Sequence, residues 1–530
     1  MEEKRITYVS VHYVKCTIFS STNIRLSKIN NSRSLQNERY DYRDIEKLEV
    51  DISLEGPHLL EENMKEGGKK VSELLRKIPH IKALHLKFLQ RPFAEYLFQF
   101  FIKEIRCHNI SILKVFFNDQ LKCLYHNIPT INNSTFFKNF GNLRVVQIVV
   151  IYEILHSDIK ELIDAVSVIK GVTIEIIHKY SFDNVKECLY KRKCINNNSG
   201  CICESKSGVL DIISYVIHKQ IYLSIPKTKP NLFNFIEVFP TMTTLDFGFL
   251  RKLHIKLFSY IELREFAEFL PHMSNLEVLS LHIQVNTDSM LCQFASIPQM
   301  ARSKWVKLCP EMNSSDSTLF DNLIIKESKS HSYKSFQNLK KLRTIQLTLD
   351  IFNASVGHLV FESYRKNPPI VKKYKRLYNI EIFSFLSKAP RTVENLYLCR
   401  IPEFKYLSSY LLNEYFPNLT FLCLGEIYNY EKECLVNLKN LKIFVSHYKN
   451  VFVLPENIET CMLCINYYSS NEELQLNREL FSQYYKYLKH FTKEYTLNGS
   501  IKGKIFFNHY QDYLSVKRYF SDIEEMAFGK

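Results

Sequence analysis

Apolar residues recur along this chain at a step of three followed by a step of two. In "FPNLTFLCLGEI" the leucines stand at 419, 422 and 424. The same triplet appears at Ile45, Leu48 and Val50; at Ile81, Leu84 and Leu86; at Ile110, Leu113 and Val115; at Leu143, Val146 and Ile148; and, more weakly, at Ile169, Val172 and Ile174. It resumes at Leu250, Leu253 and Ile255; Leu276, Leu279 and Leu281; Leu342, Ile345 and Leu347; Val393, Leu396 and Leu398; and Ile458, Cys461 and Leu463. The last two positions of a triplet lie one strand period apart, so both point to one face of a short strand, and the first belongs to the turn leading into it. Four copies share a prefix of an aromatic residue or Met, any residue, Asn and Leu: FGNL at 140, MSNL at 273, FQNL at 336 and FPNL at 416.

The step from Leu143 to Ile169, from Leu250 to Leu276 and from Val393 to Leu419 is 26 residues in each case. That leaves room for a helix and two connections. Segments 93–107, 158–169, 261–273 and 379–390 carry helical apolar spacing in those gaps. Strand, helix and parallel strand in series predict an α/β solenoid in which each repeat buries its apolar face on its neighbours. The alternating "ITYVSVHYV" predicts capping strands over residues 1–40, the repeats span 41–470, and the apolar spacing after 470 predicts a helical cap over 471–530. Insertions interrupt the series near 181–208, 286–335 and 352–378.

With these triplets the chain resembles the leucine-rich-repeat proteins, L-x-x-L-x-L, over roughly residues 40 to 470. The period near 26 makes it most similar to the irregular repeats that accompany F-box domains and to ribonuclease-inhibitor-like repeats. The resemblance implies a curved parallel sheet on the concave side and helices on the convex side. It also implies a non-enzymatic protein-interaction scaffold, the substrate-recognition subunit of a ubiquitin ligase, with a ligase adaptor among its partners. Two departures stand out. The family's Asn or Cys three residues after the last leucine is replaced by Gln284 and Ile427. No F-box-like Leu-Pro-x-Glu segment opens the chain; the nearest string, "LPENI", lies at 454–458.

In such a solenoid the residues between and just after the two core positions project onto the concave sheet, the expected partner surface. They are His85, Lys87, Lys114, Phe116, Gln147, Thr173, Glu175, His254, Lys256, Ser280, His282, Gln346, Tyr397, Cys399 and Cys423. Histidines and lysines dominate its first two thirds, which fits a protein partner with an acidic surface.

Charge widens the choice of partner. Seventy Lys and Arg against 55 Asp and Glu give +15, so binding to nucleic acid or an anionic surface is the alternative reading. The basic residues are spread along the chain, and the densest run is "KKYKR" at 372–376. Only 13 glycines occur in 530 residues. The pair Gly67-Gly68 lacks the earlier Gly and the Ser/Thr of a P-loop, and neither HExxH nor GxSxG occurs. An enzyme and a cofactor are therefore not expected. Four cysteines, Cys188, Cys194, Cys201 and Cys203, have the number but not the usual spacing of a zinc site. Trp305, the one tryptophan, falls in the second insertion. No apolar run approaches the ~18 residues of a membrane helix, and the N-terminus does not read as a cleaved signal. The expected location is intracellular, cytoplasmic or nuclear, with the 14 cysteines mostly reduced.

Overall fold

The triplets become strands, and within each of two compact units, Met1–Asn231 and Leu232–Lys530, successive repeat strands pair in parallel with one another. The computed structural model describes residues 13–18, 24–27, 47–52, 61–77, 81–88, 101–106, 109–117, 137–150, 157–178, 212–225, 233–234, 247–257, 260–286, 333–353, 358–359, 379–425, 427, 429–447, 452–466, 491–497, 501–507, 509–517 and 519. The first unit carries β1 (Tyr13–Ile18), β2 (Ile24–Ser27), β3 (Lys47–Ile52), β4 (Ala83–Phe88), β5 (Ile112–Phe117), β6 (Val145–Val150), β7 (Thr173–His178) and β8 (Tyr222–Ile225). β2 pairs antiparallel with β1, β1 is parallel to β3, and β3 to β8 follow as parallel neighbours.

The second unit repeats the scheme. β9 (Phe233–Asn234), β10 (Leu250–Leu257), β11 (Val278–Asn286) and β12 (Thr344–Asn353) are parallel neighbours, and the two-residue β13 (His358–Leu359) folds back antiparallel on β12. β14 (Asn395–Cys399), β16 (Phe421–Leu424), β18 (Ile443–His447) and β19 (Thr460–Asn466) continue the parallel series. Beside it, β15 (Glu403–Phe404) and β17 (Asn429–Tyr430) form a small parallel pair. The architecture is α/β, built on mostly parallel sheets.

Register makes the core. Leu48, Leu84, Leu113, Val146, Ile174 and Leu223 stand in one row across the first unit, and all are fully buried. In the second unit Leu253, Leu279, Ile345, Leu396, Leu422, Phe444 and Cys461 form the corresponding row, again buried. A rung that buries two such side chains gains about 3–6 kcal/mol before the entropy of ordering the rung is subtracted.

Three sequence expectations need correction. The copy at Ile169, Val172 and Ile174 is displaced by two residues, because Val146 pairs with Ile174 and Ile148 with Ile176. Its lead-in place belongs to Gly171, whose φ of 79° suits glycine. Two rungs escaped the triplet pattern. β8 leads in through Gln220, which also has a positive φ of 56°, and β18 puts Ser446 opposite Leu424. Finally, where a helical cap was expected, β20 (Phe491–Leu497) and β21 (Ile501–Phe507) form an antiparallel pair, and β21 closes the sheet along β19. Residues 471–490, the centre of the helical reading, lie outside the described residues.

The turns are tied as well as the strands. Ahead of several strands one carbonyl accepts two amides from the next rung: Ser111 from Arg144 and Val145, Arg343 from Glu394 and Asn395, and Thr420 from Lys442 and Ile443. An asparagine ahead of the lead-in residue, in the prefixes at 273 and 416 and in "LKNL" at 438, adds a side-chain tie. Asn275 Nδ2 donates to the Gly248 carbonyl, Asn418 to that of Arg391 at 3.3 Å, and Asn440 to that of Pro417 at 2.7 Å. Each donor directly precedes the first apolar residue of its triplet and reaches the preceding turn. FQNL does not share this place, since its Asn338 lies one turn of chain earlier and donates to the Pro271 carbonyl at 2.9 Å. Such bonds contribute about 0.5–1.5 kcal/mol each.

Helices fill the connections. α1 (Glu61–Lys77) joins β3 to β4, α2 (Ser157–Ser167) joins β6 to β7, α3 (Tyr260–Phe269) joins β10 to β11, and α4 (Tyr406–Tyr415) lies between β14 and β16. Further helical segments at 101–104, 212–218 and 379–386 bury Phe101, Ile213 and Phe383, among others. Gly68 explains the glycine pair that resembled part of a phosphate loop. It sits inside α1 where a Cβ would come within 2.4 Å of the Phe101 carbonyl oxygen. Gly68→Ala should therefore destabilise the protein by about 1–3 kcal/mol through overpacking, despite alanine's better helix propensity of about 1 kcal/mol. Denaturant unfolding checks this, and a stabilised variant would contradict the close packing.

Candidate functional site

Alternation along a strand sends the residue between two core positions to the opposite face. In the first unit that row is Glu49, His85, Lys114, Gln147, Glu175 and Ser224, each in register with the next. Both of its carboxylates have partners. Lys87 pairs with Glu49, and Gln147 Nε2 donates to Glu175 Oε2 at 2.6 Å. His85, Thr173 and Glu175 are buried, while Lys87, Lys114, Phe116 and Gln147 are half-buried. Thr173 is in register with Val145 and so stands one row away from the others.

In the second unit the row runs His254, Ser280, Gln346, Tyr397, Cys423, Val445 and Met462, and its chemistry changes halfway. From β14 onward it is apolar and belongs to a second core. Tyr397, Phe421, Cys423, Val445 and Met462 pack with Ile505 and Phe507 of β21, with Val516 of α5 (Tyr510–Lys517), and with Tyr519. The Tyr519 ring lies 4.2 Å from that of Phe421, and its hydroxyl donates to Asn395 Oδ1 at 3.1 Å. Tyr397 and Cys423, expected on an open face, are 1% and 3% exposed. Cys399 is also buried, beside Gly425, where a Cβ would come within 2.6 Å of its Sγ.

The half from β10 to β12 is polar. Ser280 Oγ and His254 Nε2 are 3.2 Å apart, both buried along with Gln346. Further along the same face Asp350 has two partners: His282 Nε2 lies 2.7 Å from Oδ2, and Arg400 pairs with Oδ1. Burial alone would raise the Asp350 pKa, but the hydrogen bond from His282 and the Arg400 charge outweigh it and hold the carboxyl well below the ordinary range. Arg400 has a φ of 58°, a left-handed conformation that costs about 1–2 kcal/mol. Its ion pair offsets part of that cost and fixes the turn after β14.

Sequence reasoning placed His254, Lys256, Ser280, His282 and Gln346 on one face, and they stand on it. It missed Asp350 and Arg400. Asp350 was within reach, because alternation continued beyond the triplet along the ten-residue β12 puts it on that face. Arg400 carried no signal, since its position depends on a turn conformation.

Away from this face, Glu381, Arg264 and Tyr333 form a largely buried cluster. Glu381 accepts hydrogen bonds from Arg264 and from the Tyr333 hydroxyl, and burial together with the Glu381 charge raises the Tyr333 pKa. Burial pushes the Cys434 thiol up to about 12, which leaves it protonated and unreactive at neutral pH. Charges at and beside the lead-in turns of the second unit are of mixed sign: Arg251 pairs with Glu277 at 3.6 Å, Arg343 with Glu394 at 3.3 Å, and Lys442 with Glu459 at 2.9 Å. Among the described residues no group of three His, Cys, Asp or Glu side chains could hold a metal ion, and no helix is long and apolar enough to cross a membrane. Cys188, Cys194, Cys201, Cys203, Trp305 and the run at 372–376 lie outside the described residues. No protein-family model matches the chain, and neither does any curated protein.

Asp350→Asn leaves Arg400 and His282 without their carboxylate. Both are partly solvated, so the loss should be about 2 kcal/mol at neutral pH, below the 3–5 kcal/mol of a fully buried pair. The folded-state pKa of Asp350 is lowered from an unfolded value near 3.9. Its contribution is therefore fully present above about pH 5 and fades as acid approaches the lowered folded value. The stability gap between wild type and variant should narrow below about pH 4. A gap that widens on acidification would contradict the assignment.

Proposed function

We propose that the chain is a non-enzymatic protein-interaction scaffold of the leucine-rich-repeat type, an irregular solenoid that presents sheet faces and turns to a protein partner. The observation that carries this reading is the register. Apolar rows run unbroken across six rungs in the first unit and seven in the second, with asparagine ties between successive turns. The ties take the place of the asparagine that the family carries after its last leucine. They supply the same kind of polar link from the other end of the strand. Repeats that bury apolar faces on one another generate long surfaces suited to macromolecular partners.

The role of substrate-recognition subunit in a ubiquitin ligase is the specific form of this proposal and rests on the F-box resemblance alone. Binding to nucleic acid, the alternative, calls for a contiguous basic stripe. Mixed charge along the lead-in turns and the carboxylates Glu49 and Glu175 among the cations of the first unit favour the protein partner.

Affinity purification of the full-length chain with cross-linking mass spectrometry tests the proposal. It should yield a stoichiometric protein partner with cross-links to the sheet-face strands. Recovery of nucleic acid alone, released by salt, would refute the scaffold reading. Recovery of a partner without any cullin-adaptor complex would remove the ligase role and leave the scaffold.

A further inference from the structure

Repeat geometry turns Tyr397 and Cys423 toward the face expected to receive a partner, and the chain's own C-terminal segment occupies that face. Within 509–519 the described side chains divide by burial. Val516 and Tyr519 are buried in the apolar cluster over the sheet, Asp512 and Ser515 are half-buried, and His509, Gln511 and Leu514 are exposed. The segment also holds its own shape. At the start of α5 the His509 amide donates to Asp512 Oδ2 at 2.8 Å, and Ser515 Oγ donates to the Gln511 carbonyl at 3.0 Å. At its end the Tyr519 amide donates to the Val516 carbonyl at 2.9 Å, which sets the two buried anchors three residues apart on one turn. Tyr519 then stacks against Phe421 with ring centroids 4.2 Å apart and gives its hydroxyl hydrogen to Asn395. β21 is attached differently, through a seven-residue antiparallel register with β19.

We propose that residues 509–519 are a strap that closes, in cis, a docking site on the apolar half of this face, and that a protein partner opens it with a segment of the same chemistry. That segment carries a branched aliphatic side chain and, three residues on, a tyrosine, both on one helical turn. The inference rests on the scaffold reading and adds how its surface is regulated. The occupant seen in cis defines the one supplied in trans, because the site satisfies an aromatic ring against Phe421 and a hydroxyl donor at Asn395. Detachment leaves the internal hydrogen bonds of the strap and the ladder between β19 and β21 in place. It gives up the burial of Val516 and Tyr519 and the contacts of Tyr519, a local opening and not unfolding of the unit. Phe421 and its neighbours would then stand open as an apolar patch of the kind that marks interaction sites. Tethering gives the strap a high effective concentration, so a partner binds the closed protein with an affinity reduced by the fraction that is open.

The test uses the full-length protein and a fluorescein-labelled peptide with the sequence of residues 509–519, followed by anisotropy. A strap variant, Val516→Ser combined with Tyr519→Ala, should bind this peptide at least about tenfold more tightly than the wild type, whose own strap competes. A peptide carrying the same two replacements should not bind the variant. Equal affinity of the first peptide for wild type and variant, equal binding of the two peptides, or no binding by the folded variant would each overturn the site. Hydrogen exchange on the wild type needs no variant and keeps the proposal testable where circular dichroism shows the variant unfolded. The amides of 511–519 should exchange at least about tenfold faster than those of β14, β16 and β18, and exchange in step with these strands would overturn the strap. In affinity purification the strap variant should capture more protein partner than the wild type. Equal capture by both would overturn this inference while the scaffold reading stands.

Discussion

A rung of two apolar side chains cannot bury itself, and the rest of the structure depends on the next rung arriving in register. Parallel pairing supplies the register, and a slip of one residue would send every core side chain to the opposite face. The lead-in turns make the slip harder. At several turns a carbonyl that accepts two amides, or an asparagine that reaches back to the preceding turn, fixes where the strand begins. Irregular spacing between repeats is then tolerable, because alignment is set at the turn and not by the length of the connection.

The same constraint explains what the sequence showed and what it hid. Rungs with leucine, isoleucine or valine at both core positions were legible, since period-two apolar residues behind a fixed turn have few other readings. β18 was hidden because Ser446 takes a core position, and β8 because Gln220 replaces the apolar lead-in residue. The shift at β7 arose because Val172 and Ile174 imitate a triplet, while the true lead-in residue is Gly171, chosen for its positive φ. Local spacing cannot distinguish these cases, whereas the partner strand does so at once. The face opposite the core was assigned correctly wherever strands were placed correctly, since alternation alone decides it.

Exposure was less legible than orientation. Tyr397 and Cys423 point to the expected face, yet the C-terminal β21, α5 and Tyr519 return to cover it. That contact joins residues more than a hundred positions apart in sequence, as in the hydrogen bond between Tyr519 and Asn395. No local pattern encodes it. The result is a face whose apolar half is closed by packing and whose polar half is joined by hydrogen bonds and an ion pair. The contacts of Asp350 with His282 and Arg400 join β11, β12 and the turn after β14 on that side.

The most direct measurement is disulfide formation between cysteines placed across β6 and β7, where sequence spacing and structural register disagree. Paired Cα atoms in neighbouring parallel strands lie about 5 Å apart, within disulfide range. Residues two positions out of register lie about 7–8 Å apart. With Gln147 and Glu175 as partners, Gln147→Cys with Glu175→Cys should cross-link under mild oxidation and be detected by mass spectrometry of the unreduced protein. Gln147→Cys with Thr173→Cys should not. Preferential cross-linking of the second pair would mean that the turn at Gly171 does not set the register, and the ladder on which the structure rests would be wrong.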